Sequence, residues 1–464
     1  MKNILFILLF TFAITVVNAQ PPGVRFDYVY PYKNGIPKSR FKERRDNILS
    51  TFSTKSLILS FSADVRNRQN DVDYEYRQNS NFWYLTGMPD PGAALLLIPG
   101  GTLYKGKKVH EILFVTPRSP DREVWVGTRL GLNEADSILG FSTSEDISLL
   151  QTVLKSMLSG KDTLWFTGLP TISFLPPILD KKIFAESEIK SYLHKDYPDL
   201  WIKNSLPHLN TMREIKDDDE IRLMKKAIDI SIEGHKAVMQ QAKPGMNEYE
   251  IEAIMEYTFK RLGAEDVGYP SIVGSEYNAC ILHYISNRKQ TSSNDLILAD
   301  CGAEYQNYTA DITRTFPVNG KFTKEQAQIY AIVLDAQNAG IKACKKGNEF
   351  RAPHNAAMEI ITKGLLELGI ITTASQARWY FMHGTSHYLG LDVHDAGTFK
   401  ALQKNSVITV EPGIYIPKDS PCDKRWWNIG IRIEDDILIT DGDPINLSEA
   451  LPRTISEIEE LMKN

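Results

Sequence analysis

LILADCGAEYQNYTADITRTFP, residues 296–317, places two aspartates, Asp300 and Asp311, on two strand-like runs separated by the turn EYQN. Residues 408–416, ITVEPGIYI, and 429–436, IGIRIEDD, repeat the device with Glu411 and Glu434, joined by a longer loop. Each pair of runs reads as a β-hairpin presenting two carboxylates. The period of two in IGIRIED puts Arg432 and Glu434 on one face and Ile431 and Ile433 on the other. A buried arginine beside a ligating glutamate makes sense as the group that orients it. Between the hairpins, residues 381–395, FMHGTSHYLGLDVHD, supply His383, His387 and His394. Asp300, Asp311, His387, Glu411 and Glu434 together form an oxygen-rich donor set that suits hard or borderline divalent ions. The set also has the charge to balance two dications. Four buried carboxylates without metal would repel one another and be forced to protonate. The set therefore reads as a two-metal hydrolytic centre, with one water activated between two ions.

Singly, each residue has a plainer reading. An Asp at a strand end is most often a turn or cap residue, a lone His is more often a core or surface residue than a ligand, and Glu-Pro-Gly is compatible with a simple turn. His383 and His387 are four apart, as on one helical face, which raises a zinc H-x-x-x-H pair. Gly384 stands where zinc peptidases of that kind carry their catalytic Glu.

The bulk properties set the frame. At 464 residues the chain exceeds one ordinary core, so two domains are expected. Hydrophobic content of 42% and charged content of 24% are those of a globular protein, and the net charge of -5 argues against a nucleic-acid-binding surface. Lys2, the apolar run Ile4 to Val17 and Val17-Asn18-Ala19 have the three-part layout of a secretory signal peptide over residues 1–19. The run is shorter than the roughly 20 residues needed to span a bilayer. No membrane anchor is expected after cleavage, and the localisation implied is secreted or periplasmic. Cys280, Cys301, Cys344 and Cys422 are few and widely spaced, and no C-x-x-C pair occurs, so free thiols are expected.

After the signal, NGIPKSRFKERRDNILSTF reads as a helix leading into the strand SLILSFSA. Strand-like runs recur at NFWYLTG, AALLLIP and EILFVTP, the last two joined by Gly100-Gly101 and a Lys-rich turn, and SEDISLLQTVLKSML reads as a helix. This alternation gives an α/β domain over residues 20–205. The pattern breaks around 195–215, where the linker is placed. A second domain, 212–464, opens with an amphipathic helix from Asp217, acidic in its first turn as the helix dipole favours. Asn247 with Glu250 and Thr323 with Gln326 read as capping-box starts of two more helices, and APHNAAMEIITKGLLELG is a fourth.

The segment from about Arg213 to Met462 resembles the catalytic domain of the pita-bread metallopeptidases, and within them the Xaa-Pro aminopeptidases, or aminopeptidases P. The resemblance runs through GSEYNACILHY, the two-aspartate segment, FMHGTSHYLGLDVHDAGTF, VITVEPGIYI and NIGIRIEDDILIT. The earlier part, with NSNFWYLTG, resembles that family's non-catalytic, creatinase-like N-terminal domain. The resemblance implies an α/β two-domain enzyme holding two divalent metal ions, Mn2+ foremost. Asp300 would bind one ion, Asp311 and Glu434 would bridge both, and His387 and Glu411 would complete the other. Glu411 would also move the proton of the activated water. His283, His383 and His394 would line the cleft, with His383 steadying the oxygen of the tetrahedral intermediate and Arg432 orienting neighbouring carboxylates. The implied substrates are peptides with proline second, and the implied assembly is a homodimer or homotetramer. Two alternatives stay open: an Xaa-Pro dipeptidase, which usually carries Gly where Ser386 stands, and a non-catalytic binding protein on the same fold. No G-x-S-x-G elbow supports a serine hydrolase.

Overall fold

The computed structural model describes residues 27–167, 193 and 195–463, so the expected signal peptide lies outside the described residues. The chain divides into two units, with the main boundary between Lys203 and Asn204, inside the stretch expected to be a linker, and Asn34–Pro37 grouped with the second unit. That stretch is not structureless: it holds a strand at Trp201–Asn204 and a helix at Leu206–Glu214.

The first unit is built on a six-stranded sheet. Its strands are β1 (Ser56–Phe61), β2 (Ala93–Tyr104), β3 (Lys107–Val115), β4 (Ser144–Asp146), β5 (Thr163–Phe166) and β6 (Trp201–Asn204), in the order β4-β3-β2-β1-β5-β6. β1 pairs antiparallel with β2 and parallel with β5. Helix α1 (Lys38–Thr51) runs into β1 as expected. NFWYLTG is a helix, not a strand: α2 (Ser80–Thr86) is capped by Asn79, whose side chain accepts from Phe82 N–H, and closed by Gly87 at φ 67°. Phe82 to Thr86 are all buried, so the run carries no amphipathic period to tell helix from strand. The expected Lys-rich turn is formed, whereas Gly100 and Gly101 belong to the strand before it. β2 continues through them with a register shift, both at positive φ, and the chain reverses at Lys105-Gly106. The expected helix over SEDISLLQTVLKSML begins late, because Ser144–Asp146 form β4; α3 covers Leu150–Met157.

The second unit holds the candidate site. Helices α5 (Asp218–Gln241) and α6 (Glu248–Arg261) follow α4 (Leu206–Glu214), and α7 (Lys324–Ala343) and α8 (Ala352–Glu367) come later. The expected capping boxes at Asn247/Glu250 and Thr323/Gln326 are formed, and Asp217 with Glu220, expected only as an acidic first turn, forms another. Strands β7 (Asp266–Val267), β8 (Ile272–Ser275), β9 (Leu296–Asp300), β10 (Ala303–Tyr305), β11 (Tyr308–Thr309) and β12 (Thr313–Pro317) surround the aspartates. β9 pairs with β12, Asp300 opposite Thr313, and β10 turns back through β11. The long hairpin is thus interrupted between its two acids. Gly302 sits at the interruption, where a Cβ would come 1.9 Å from the Ala310 carbonyl oxygen, so any side chain there would part the two segments that carry Asp300 and Asp311.

The glutamate hairpin is broken in the same way. β13 (Val407–Val410) pairs with β16 (Asp435–Leu438), and β14 (Gly413–Ile416) pairs with β15 (Ile429–Arg432). Glu411 and Glu434 occupy the two gaps between these ladders, where the backbone is free of strand pairing and the side chains turn into one cavity. α5 braces the site from behind: Ser231 Oγ accepts from Ala303 N–H at 2.9 Å and His235 Nε2 lies 3.1 Å from the Cys301 carbonyl. A continuous core of Val238, Met255, Ile297, Phe316, Val333 and Ile431 holds helices and strands together.

Candidate metal centre and active site

The five proposed ligands all line one cavity of about 620 Å³. His283, His383, His394 and Arg432 line it too. Ligand atoms of Asp311, His387 and Glu434 lie within 4.8 Å of one another. His387 Nε2 is 3.3 Å from Asp311 Oδ2 and 3.5 Å from Glu411 Oε1. Its other nitrogen, Nδ1, lies 3.0 Å from the Tyr388 carbonyl. A carbonyl only accepts, so Nδ1 donates to it, and Nε2 is the nitrogen turned towards the carboxylates, where it would bind a metal ion. His383 and His387 do not share a helix: residues 381–390 form a loop, and the two rings meet different partners. The zinc-pair reading therefore has no support in the geometry.

The charge balance of the cavity fits cations. Burial, then the Asp300 charge, raises the Asp311 carboxyl well above its ordinary value. Burial and the neighbouring Asp311 and Asp300 do the same to Glu434. Burial and Glu434 push Glu411 up to about 8. Such a cluster is held together by positive charge or by protonation, and with four oxygen donors and one imidazole it has the donor types and the charge for two divalent ions.

Several contacts fix the ligands, and most were not singled out from the sequence. Arg432 Nη2 donates to Asp300 Oδ2 at 2.5 Å. Its Nη1 donates to Tyr415 OH at 2.9 Å, and its Nε to Thr313 Oγ1 at 3.2 Å. Thr313 Oγ1 in turn donates to Glu434 Oε2 at 2.6 Å. Tyr269 OH lies 2.6 Å from both Asp300 Oδ1 and Asp311 Oδ1, so it joins the two aspartates. Tyr415 and Thr313 stand inside the ligand-bearing segments, and strand alternation from Glu411 or Asp311 would have pointed to them. Tyr269 lies 31 residues before Asp300, and no local pattern marks it.

The cleft histidines differ in how they are held. His383 Nε2 is 2.8 Å from Tyr415 OH and Nδ1 is 2.6 Å from the Gly384 carbonyl. Both nitrogens are engaged, so an Nδ1–H bond to substrate needs that hydrogen to leave the Gly384 carbonyl. Burial, then Arg432, lowers its pKa to about 4, so the ring is neutral at neutral pH. His394 stacks edge-on against His387 with ring centroids 4.3 Å apart. Asp395 beside it is clamped by Arg213 and by Lys216 Nζ, the latter at 2.9 Å, which fixes the His394 loop. His283 is exposed on the loop after β8.

Comparison with known proteins agrees with this arrangement. Residues 222–441 match metallopeptidase family M24, and residues 41–165 match the aminopeptidase P N-terminal domain. The Xaa-Pro aminopeptidase of Haemophilus influenzae is 39% identical over 444 residues, covering 93% of this chain and 99% of the relative. The chain belongs to metallopeptidase family M24, in its aminopeptidase P branch. It is a hydrolase with the two-domain α/β architecture of that branch, an aminopeptidase P N-terminal domain and a pita-bread catalytic domain. The Escherichia coli Xaa-Pro aminopeptidase is 35% identical over 447 residues. Aminopeptidase P from that organism, solved in complex with substrate, superposes with a TM-score of 0.83 at 34% identity, covering 92% of this chain and 99% of that one. The Pseudomonas aeruginosa aminopeptidase PepP gives 0.84 at 34% identity over 93% of this chain and 99% of that one.

The crowding makes opposite predictions with and without metal. Asp311→Asn removes a charge that the fold disfavours, so it should raise the Tm of the chelated protein. The same change should abolish the stabilisation by added Mn2+, which for the wild type is about 2.7 kcal/mol at 100-fold excess over Kd. Thermal unfolding with chelator and with metal measures both; a variant that keeps the full metal-dependent gain contradicts the assignment.

Proposed function

We propose that this chain is an exported two-metal aminopeptidase that releases the first residue of peptides with proline in second position. The observation that carries this reading is the convergence of all five proposed ligands and three histidines on one open cavity, in a chain that matches Xaa-Pro aminopeptidases along nearly its whole length. Asp300, Asp311, His387, Glu411 and Glu434 would hold two divalent ions, which when bound acidify a water and polarise the scissile carbonyl. Mn2+ is our assignment, because the donors are mainly carboxylate oxygens.

The chain's own groups do the rest. Glu411 accepts a proton from the attacking water and delivers it to the proline nitrogen as the C–N bond breaks. An amine leaves only when protonated, and a proline nitrogen in a peptide carries no hydrogen of its own. His283 and His394 flank the proline ring, and His383, neutral and anchored to Tyr415, faces the carbonyl oxygen. Arg432 keeps Asp300 and Tyr415 in register.

The dipeptidase alternative needs a cation for the free carboxylate of an Xaa-Pro dipeptide. Arg432 is the one Lys or Arg among the cavity-lining residues, and it is committed to Asp300. Lys404, beyond the cavity, pairs with Asp441. The absence of a further Lys or Arg from the cavity lining among the described residues favours substrates whose chain continues past proline. The binding-protein alternative finds no support in a site that keeps every proposed ligand.

The test is kcat/KM on Xaa-Pro, Xaa-Pro-Yaa and Xaa-Pro-Yaa-Zaa, with Xaa-Ala-Yaa as control. The longer proline peptides should be cut at least as well as the dipeptide, and the alanine control poorly; cleavage confined to the dipeptide would make the chain a prolidase. Glu411→Gln should lower turnover by about 10²–10⁴-fold, and near wild-type turnover with metals bound would require another base. Export and assembly are read on the natively expressed protein. N-terminal sequencing should begin near Gln20, and sedimentation should give a dimer or tetramer, for which the 86% exposed Trp125 offers apolar surface. An intact Met1 in a cytosolic fraction, or a monomer, contradicts the corresponding part.

A further inference from the structure

Glu248 is a carboxylate with no solvent exposure, placed outside the metal centre at the first residue of α6. Its Oε1 accepts from Ser275 N–H at 2.7 Å, Ser275 Oγ at 2.8 Å and Asn278 Nδ2 at 3.0 Å. Its Oε2 accepts from Tyr284 OH at 2.9 Å and Lys289 N–H at 2.8 Å. Five donors and the positive end of α6 compensate the buried charge. All five donors belong to one loop, residues 275–289, and they grip it at both ends and on either side of His283.

That loop forms part of the cavity wall through Leu282, His283 and Ile285. Apart from a short 3-10 turn at Glu276–Cys280 it has no regular structure of its own. No hydrogen bond holds the His283 ring among the described residues, so the place of the imidazole is set by its backbone. Glu248 fixes that backbone by charge-assisted bonds, the stronger kind. Asn287 adds a second pin, accepting from Val273 N–H and donating to the Ser271 carbonyl. The Glu248 side chain itself does not line the cavity.

We propose that Glu248 is a positioning residue for the reaction: its carboxylate clamps the 275–289 loop and so holds His283 at the substrate. This rests on the reading of His283 as a substrate-contacting group. Glu248→Gln keeps the shape of the side chain but turns two of its hydrogens towards donors, which opens the clamp.

The decisive measurement is a double-mutant cycle on the full chain with metal, using an Xaa-Pro-Yaa peptide and reading kcat, KM, bound metal and amide hydrogen exchange. E248Q should lower kcat/KM by about tenfold or more, the scale of one hydrogen bond to a charged group. Bound metal should be retained and exchange over residues 276–289 accelerated. In an H283A background the same change should cost less than about threefold, because the partner it acts through is gone. An equal loss in both backgrounds, or loss of metal from E248Q, overturns the proposal. Wild-type kcat/KM in H283A overturns it through the role given to His283, whereas unchanged exchange in E248Q overturns it through the clamp, so the two failures separate. If E248Q does not fold, Y284F removes a single donor. It should lower kcat/KM about threefold in the wild type and leave H283A unchanged; an equal fall in H283A overturns the proposal.

Discussion

Asp300, Asp311, Glu411 and Glu434 reach a common cavity from four strand ends, and negative charges brought that close out of water oppose the fold that assembles them. Much of the catalytic unit can be understood as the scaffold that resists this repulsion. Arg432 takes one oxygen of Asp300, Thr313 takes one of Glu434, and Tyr269 draws Asp300 and Asp311 together. Behind them, Arg314 and Asp435 form an ion pair with no exposure on either side, tying the aspartate strands to the glutamate strands. Arg314 also donates to the Glu434 carbonyl at 2.6 Å, so the backbone of a ligand is held as well as its side chain.

The breaks in the two hairpins belong to the same logic. A continuous ladder would point alternate side chains to opposite faces and keep the backbone straight. Ending one ladder and starting another at each acid frees the local backbone to turn the carboxylates into one space. The cost is structural: the gaps depend on close approaches such as that at Gly302, and on the helix behind them, where Ser231 satisfies the amide of Ala303 that follows the break.

How much of this was legible beforehand follows from the range of each signal. Capping boxes are local, three residues apart, and the two expected at Asn247/Glu250 and Thr323/Gln326 are formed, whereas those at Asp217/Glu220, Thr373/Gln376 and Thr454/Glu457 are added by the structure. The ligands were readable because each stands in a short segment of unusual composition, and because the segments come in one order. NFWYLTG was misread because five successive buried residues erase the period that separates helix from strand. The hairpin breaks were invisible because a break in a ladder leaves the alternation of residues along each arm unchanged. Tyr269 and Glu248 were missed because their partners are distant, 31 and 42 residues away for Tyr269 and 27 to 41 for Glu248, and nothing in their neighbourhood hints at them. Length-scale, more than chemistry, divided what could be read from what could not.

The ligands are drawn from two interrupted hairpins and an intervening loop, so no single stretch of the unfolded chain contains the whole site. An ion cannot be picked up during synthesis and carried along; it has to enter a cavity that already exists. Which metal this enzyme uses is then decided by the surroundings in which folding is completed as much as by the preferences of its donors. If the chain crosses a membrane before it folds, it samples the ions of the compartment it arrives in, and its metal is a record of where it was finished.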